Sequence, residues 1–195
     1  MAVGGTAVAA RVGVGGRGVA LGGTAVGGMA VGVDRSAHEG ALSAGGPTVG
    51  VLANGIDIFY PAMNSDLYRM ILSDGRSALV SEYPPGIMAG KWTFARRNRI
   101  ISGLSLGTVV VKAGVKSGAL ITARLAGEIG REVFAVPGDV NSPLSRGAHA
   151  LLKDGARLVE YAEDVVEGLG ILLTAVPDRP QAPAPDLPSE EQAVV

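Results

Sequence analysis

The sequence contains no cysteine, which excludes disulfides and thiolate metal sites. Histidine occurs only at His38 and His149, too few for a histidine metal centre, so neither a metal nor another cofactor is expected. Aromatic residues make up 4% of the chain, so valine, alanine, leucine and isoleucine must supply most of the burial. Long apolar runs are missing too. Glycine, lysine or arginine interrupts those present, which argues against a membrane span and leaves no membrane among the expected partners. The first ten residues lack a basic stretch leading into a leucine-rich one, so no secretory leader is expected and the cytoplasm is the default location. What remains is 195 residues, 47% of them apolar, which suits one domain with a real core and an appendage.

The net charge of −1 hides an asymmetry. Lys91, Arg96, Arg97, Arg99, Lys112, Lys116, Arg124 and Arg131 fall in one stretch whose only acid is Glu128, whereas acids predominate from Asp154 onward. The basic middle suits a polyanion, although a merely solvated basic surface would read the same way.

Residues 1–25 are a degenerate glycine-, alanine- and valine-rich segment in which GGTAV occurs at 4–8 and again at 22–26. So much glycine makes a helix hard to hold, and one strand is expected near Gly18–Val26. Gly13, Gly15 and Gly18 match the glycine pattern of a dinucleotide site, but no convincing helix follows them, as such a site requires. Beyond this segment the punctuation becomes ordinary. Helices are expected at 36–44, 64–72, 97–102, 120–130, 145–154 and 162–169, and strands at 48–52, 78–81, 108–111, 133–136 and 158–159. Short apolar strands alternating with helices make an α/β fold: a mostly parallel sheet with helices on both faces. The division expected is a core over residues 26–172 and a disordered proline-rich tail over 173–195. Ligands of such sheets sit at the C-terminal ends of the strands, so the loops there are where chemistry is sought.

Four such places stand out. Lys91-Trp92-Thr93-Phe94-Ala95-Arg96-Arg97-Asn98-Arg99 sets cations beside aromatics and an amide. Arginine grips phosphate through a planar fork, and aromatic faces stack on unpaired bases; alternatively Trp92 and Phe94 fill the core. Lys116-Ser117-Gly118, with Thr122 one turn on, follows the TVVV strand and opens a helix whose N-terminus favours an anion, or Ser117 simply caps that helix. Gly28 and Gly32, then Asp34 and His38, form a glycine turn into a helix that Asp34 is placed to cap; His38 reads as structural. The loop from Pro137-Gly138-Asp139 through Asn141 to Gly147 carries further polar donors. No Ser-His-Asp order, carboxylate pair or phosphate-loop lysine appears, so no catalytic residue is expected.

These segments together resemble the DprA/Smf family. The matching stretches are MAVGVDRSAHEGAL (29–42), VLANGIDIFYPAMN (51–64), LVSEYPPG (79–86), FARRNRIISGLS (94–105), SGALITARLAGEIGREVFAVPG (117–138) and SPLSRGAHALLKDGA (142–156). The resemblance implies an extended Rossmann-like fold and a homodimer that binds single-stranded DNA. It also implies a role in natural transformation, protecting the strand and loading the RecA recombinase onto it, without catalytic turnover. The family's basic and polar pocket maps to Arg96, Arg97, Asn98 and Arg99, with Ser117, Gly118 and Thr122 nearby; Gly28, Gly32 and Asp34 match its glycine–aspartate turn. Lys91 and Lys116 complete the expected DNA-binding set.

The chain departs from the family pattern in places. The early strand ending in Gly-Ser/Thr-Arg has no counterpart, Val31 stands where arginine is usual, and Lys112 stands where an acid is usual after the TVVV strand. No winged-helix module follows the core. A truncated or decaying paralogue with weakened DNA binding is the expectation that follows; whether residues 1–25 fold is left open, and an absent first strand would leave an exposed sheet edge. Two other readings remain: a Rossmann-like nucleotide hydrolase of the phosphoribohydrolase type, whose glycine-rich block with catalytic glutamate is not found, and a non-functional dimerising paralogue.

Overall fold

The computed structural model describes residues 7–12 and 23–170. They build one seven-stranded sheet in the order β4-β3-β2-β1-β5-β6-β7. The strands are β1 (Ala7–Val12), β2 (Gly23–Gly27), β3 (Thr48–Val51), β4 (Ala78–Val80), β5 (Gly107–Val110), β6 (Glu132–Ala135) and β7 (Arg157–Leu158). Neighbours pair in parallel except at β1, which runs antiparallel to both β2 and β5. The helices are α1 (Val33–Ser43), α2 (Ser65–Ser73), α3 (Lys91–Leu104), α4 (Gly118–Glu128), α5 (Arg146–Lys153) and α6 (Ala162–Gly168).

From β2 to β4 the chain steps outward one way, and from β5 to β7 it steps the other way. Right-handed crossovers then set α1 and α2 on one face and α3, α4 and α5 on the other. The packing agrees: α1 touches α2, α3 touches α4, and both α1 and α4 lie against β1. The α/β architecture with a mostly parallel sheet is therefore as expected. The glycines at 13, 15 and 18, and the proline-rich tail, lie outside the described residues.

The gap between β2 and β5 is not left open. β1 fills it, with Ala9 opposite Val26 on one side and opposite Thr108 on the other. The question left open for residues 1–25 is thus answered for Ala7–Val12, which form a strand. Its antiparallel sense has a cost for function, because Val12 pairs with Gly23 at the start of β2, far from the strand ends where ligands sit. A strand so oriented cannot deliver a terminal arginine to that edge.

The core follows the faces. Met29, Leu52, Leu67, Tyr68 and Ile71 pack together under α2, and Val26, Val51 and Ile101 pack under α3. Val110, Ala113, Ala119 and Ala123 seat α4. In α2 the buried residues are Leu67, Tyr68 and Ile71, spaced as one helical stripe.

Helix α3 is different, and it begins six residues before the expected start at Arg97. Its buried stripe is Thr93, Arg97, Asn98, Ile101 and Ser102, four polar residues in five. Burying such groups is costly unless each finds a partner. Each does. Thr93 Oγ1 accepts the Gly90 N–H at 2.8 Å, which closes the first turn, and Ser102 Oγ donates to the Thr122 carbonyl of α4 at 2.9 Å. Ala119, Thr122, Ala123 and Ala126 are the buried residues of α4, small enough for the two helices to lie close.

Candidate functional site

Three elements meet at the C-terminal ends of β2, β3 and β5. The turn after β2 passes through Gly28 to Gly32, the residue capping α1. Gly32 has φ 102°, a left-handed conformation that glycine adopts freely and valine or arginine would resist. Asp34 is therefore the second residue inside the helix, not its cap. Its carboxylate, 1% exposed, turns back to accept the Ala30 N–H at 3.1 Å.

Arg97 reaches this turn from α3. Its guanidinium is buried, donates through Nη1 to the Val51 carbonyl at the end of β3, and donates through Nε to Asn98 Oδ1 at 3.3 Å. A β-carbon at Gly28 would lie 2.5 Å from Arg97 Nη2 and 2.7 Å from Asp34 Oδ2. Only glycine lets the cation and the carboxylate close over the main chain here. Burial pulls the Arg97 guanidinium down from its ordinary value, and Asp34 opposes the fall; it stays a cation. Asn98 Nδ2 continues the network by donating to the Gly118 carbonyl at 3.4 Å, at the start of α4.

Ser117 caps α4, accepting the Ala119 N–H at 3.3 Å. Thr122 is fully buried on the face of α4 against α3, so it lies behind the helix terminus. Lys91, Lys116 and Gly118 are exposed. So are Val31 and Lys112, the two departures from the family pattern.

The expected cluster of Arg96, Arg97, Asn98 and Arg99 is split. At about 100° per residue, four consecutive helical residues span most of the helix circumference, so all four cannot share one face. Arg97 and Asn98 point inward to the strand ends. Arg96 and Arg99, three apart, point outward to Glu82 in the loop after β4. Arg96 Nε lies 3.4 Å from Glu82 Oε1, and Arg99 Nη2 pairs with Oε2. Glu82, separated from its partners by 14 and 17 positions, left no signal in the sequence.

The aromatics are also placed differently from the core-filling reading. Trp92 is 62% exposed and Phe94 37% exposed. Trp92 meets Tyr83 edge-on at 5.7 Å, and Phe94 lies 6.1 Å from Tyr60. Arg97 reaches the end of β3 through its side chain, and Lys91, Trp92 and Phe94 precede it in the first turns of α3. The loop from Pro137 to Gly147 contributes less. Asn141 N–H donates to Asp139 Oδ1 at 2.8 Å, and His149 Nε2 sits 3.0 Å from the Gly138 carbonyl, so the loop's polar groups serve the loop itself.

His38 is structural, as its sequence suggested. It is wholly buried under the turn, with Nε2 2.8 Å from the Gly28 carbonyl and Nδ1 2.5 Å from Thr48 Oγ1. A carbonyl only accepts, so Nε2 carries the proton and donates. Burial, joined by the Arg97 charge, lowers the His38 pKa from its ordinary 6.5 against the opposing Gly28 bond. The unfolded chain takes up a proton that the folded chain refuses. Stability is therefore complete above pH 6.5 and falls as the pH drops through it, by at most about 1.4 kcal/mol per unit. Melting temperatures at pH 7.5 and 5.5 should fall more for the wild type than for His38→Gln. Equal falls would remove His38 from the account.

Comparison with known proteins bears on this architecture directly. Residues 16–170 match the family model described as DNA recombination-mediator protein A. The chain belongs to the DNA recombination-mediator protein A family. This family member is 46% identical over 149 residues to Protein Smf of Escherichia coli (strain K12), an alignment covering 76% of this chain and 40% of that protein. It is 45% identical over 134 residues to the DNA processing protein DprA of Streptococcus pneumoniae, covering 69% of this chain and 47% of that one. The chain thus spans under half the length of these relatives. Among solved structures, S. pneumoniae DprA superposes with a TM-score of 0.69 at 43% identity, covering 74% of this chain and 50% of that one. Helicobacter pylori DNA processing protein A, whose structure describes a single-stranded DNA binding mode, superposes with a TM-score of 0.65 at 32% identity. That superposition covers 74% of this chain and 64% of the H. pylori chain.

Proposed function

We propose that this chain binds single-stranded DNA without regard to base sequence, across the C-terminal edge of its sheet. The observation that carries the reading is the N-terminal end of α3, where exposed Trp92 and Phe94 stand beside exposed Lys91. Unpaired bases stack on aromatic faces while lysine takes a phosphate, a combination that tolerates any sequence and favours single strands over duplex. Lys116 and the N-terminus of α4 at Ser117-Gly118 extend the edge toward a second phosphate. Arg97, Asn98, Gly28, Gly32 and Asp34 act from beneath, fixing the turn and the helix ends in place.

Family membership supports a wider role as part of the same proposal. The protein acts in the cytoplasm in DNA processing during natural transformation, protecting the incoming strand and loading the RecA recombinase, without turnover of its own. It works as a homodimer. Among the described residues β7 lies at an edge of the sheet with Leu158 half exposed, a surface that self-association would cover.

Fluorescence anisotropy with a labelled oligo-dT and a matching duplex, at low and moderate salt, tests the reading. The single strand should bind more tightly, with an affinity that falls steeply as salt rises. Trp92→Ala/Phe94→Ala should weaken it at least tenfold, since each stacked base is worth about 1–3 kcal/mol. Equal affinity of wild type and double variant, or a preference for duplex, would overturn the assignment.

A further inference from the structure

Glu82 lies mostly buried, its side chain 20% exposed, on the loop between β4 and α3. That loop is anchored. Ser81 Oγ donates to the Asn54 carbonyl at 2.6 Å and accepts the Tyr83 N–H at 3.0 Å, so the main chain on either side of Glu82 is tied down. The two arginines that meet it are not held in the same way: their side chains are 60% and 54% exposed. Among the described residues Glu82 Oε1 is closed off from solvent and finds no hydrogen-bond partner of good geometry; Arg96 Nε lies 3.4 Å away, and the Tyr83 hydroxyl also feels the Glu82 charge. A carboxylate so placed is weakly screened and imperfectly satisfied. It attracts both guanidiniums without locking Arg96.

We propose that Glu82 is an internal stand-in for phosphate, occupying Arg96 and Arg99 and so limiting how many phosphates of a bound strand this face of α3 neutralises. The inference rests on the single-strand reading above and adds a residue that tunes it. Two guanidiniums sharing one carboxylate carry a net charge of one, where the same pair uncovered would carry two. Counterion release counts that difference: each phosphate neutralised on a single strand adds about 0.7 to the slope of log affinity against log salt. With Glu82 in place the outward arginines contribute little to the slope. With it removed they are available, and their forks match a phosphate oxygen pair as well as they match a carboxylate.

Titrations of labelled oligo-dT across a salt series, with the full 195-residue chain, decide the matter. Glu82→Gln should bind about tenfold more tightly than wild type at the lowest salt, with a slope steeper by about 0.7–1.4. The gain should vanish when Arg96→Ala/Arg99→Ala is added to Glu82→Gln, since the effect belongs to the contact and not to the sites separately. In the wild-type background, Arg96→Ala/Arg99→Ala should leave the slope within about 0.7, because one of the two charges is already met. This second measurement stands even where Glu82→Gln fails to fold. Unchanged or weaker binding by folded Glu82→Gln, or a slope loss above 0.7 for the double arginine variant, would overturn the proposal. Inorganic tripolyphosphate separates it from the DNA reading: it should raise the melting temperature of Glu82→Gln more than that of wild type. That result without any oligo-dT binding by either protein would keep the role of Glu82 and discard single-stranded DNA as the ligand. Oligo-dT binding that Glu82→Gln leaves unaltered would do the reverse.

Discussion

Arg97→Ala should lower the unfolding free energy by about 3–5 kcal/mol, a large share of what holds a domain of this size together. The guanidinium is 5% exposed, and it answers both the Val51 carbonyl and the carboxylate of Asp34, itself 1% exposed. Alanine removes the cation and the donor together while leaving a buried carboxylate and a buried strand-end carbonyl behind. Lysine should recover only part of the loss, since one ammonium cannot replace donors aimed from both Nη1 and Nε. Urea unfolding followed by circular dichroism measures this directly. A change under 1 kcal/mol for the alanine variant would mean that Arg97 is not the tie between α3 and the turn after β2.

The second large effect is expected at Gly147. A β-carbon there would lie 2.7 Å from the Ala113 carbonyl oxygen and 2.8 Å from that of Gly114. These are backbone atoms, so nothing flexible can yield, and the Gly147 N–H already donates to the Ala113 oxygen at 2.8 Å. Gly147→Ala should cost about 1–3 kcal/mol by overpacking and move the loop that carries Lys116 and Ser117. The readout is twofold, a lower melting temperature and weaker, less salt-sensitive binding of oligo-dT. Gly118, the first residue of α4, has nothing within 4 Å of its would-be β-carbon and illustrates the contrast. A Gly147→Ala protein as stable as wild type would show that α5 can retreat without disturbing its neighbours.

How legible all this was depended on whether burial was apolar. Strands β3, β5 and β6 are short apolar runs between glycine and proline signals, and they fall within a residue or two of where the sequence put them. Helix α2, with Leu67, Tyr68 and Ile71 inward, was equally plain. Helix α3 was read short because its inward stripe is polar: Thr93, Arg97, Asn98 and Ser102 send no apolar signal, yet each is satisfied within the fold. The first turn was hidden further by Gly90, which supplies no side-chain cap and leaves that task to Thr93. Trp92 and Phe94 were harder still, since an aromatic residue in sequence does not say which side of a helix faces water. Glu82 belongs to the class that local reading misses altogether, a partner brought in by the tertiary fold. The glycine-rich start concealed β1, whose place comes from the opening between β2 and β5 and not from any pattern in its own residues.

That strand sets a width. β2, β3 and β4 form one half of the sheet and β5, β6 and β7 the other, and among the described residues β1 joins them. Adjacent strands are about 4.8 Å apart, so inserting one separates β2 from β5 by about 10 Å. The turn at Gly28 and the start of α4 at Gly118 lie on opposite banks of this interval, with Arg97 and Asn98 reaching across it from α3. The six residues Ala7–Val12 therefore act as a spacer. Their thickness, not any side chain they present, fixes the span that a ligand must bridge.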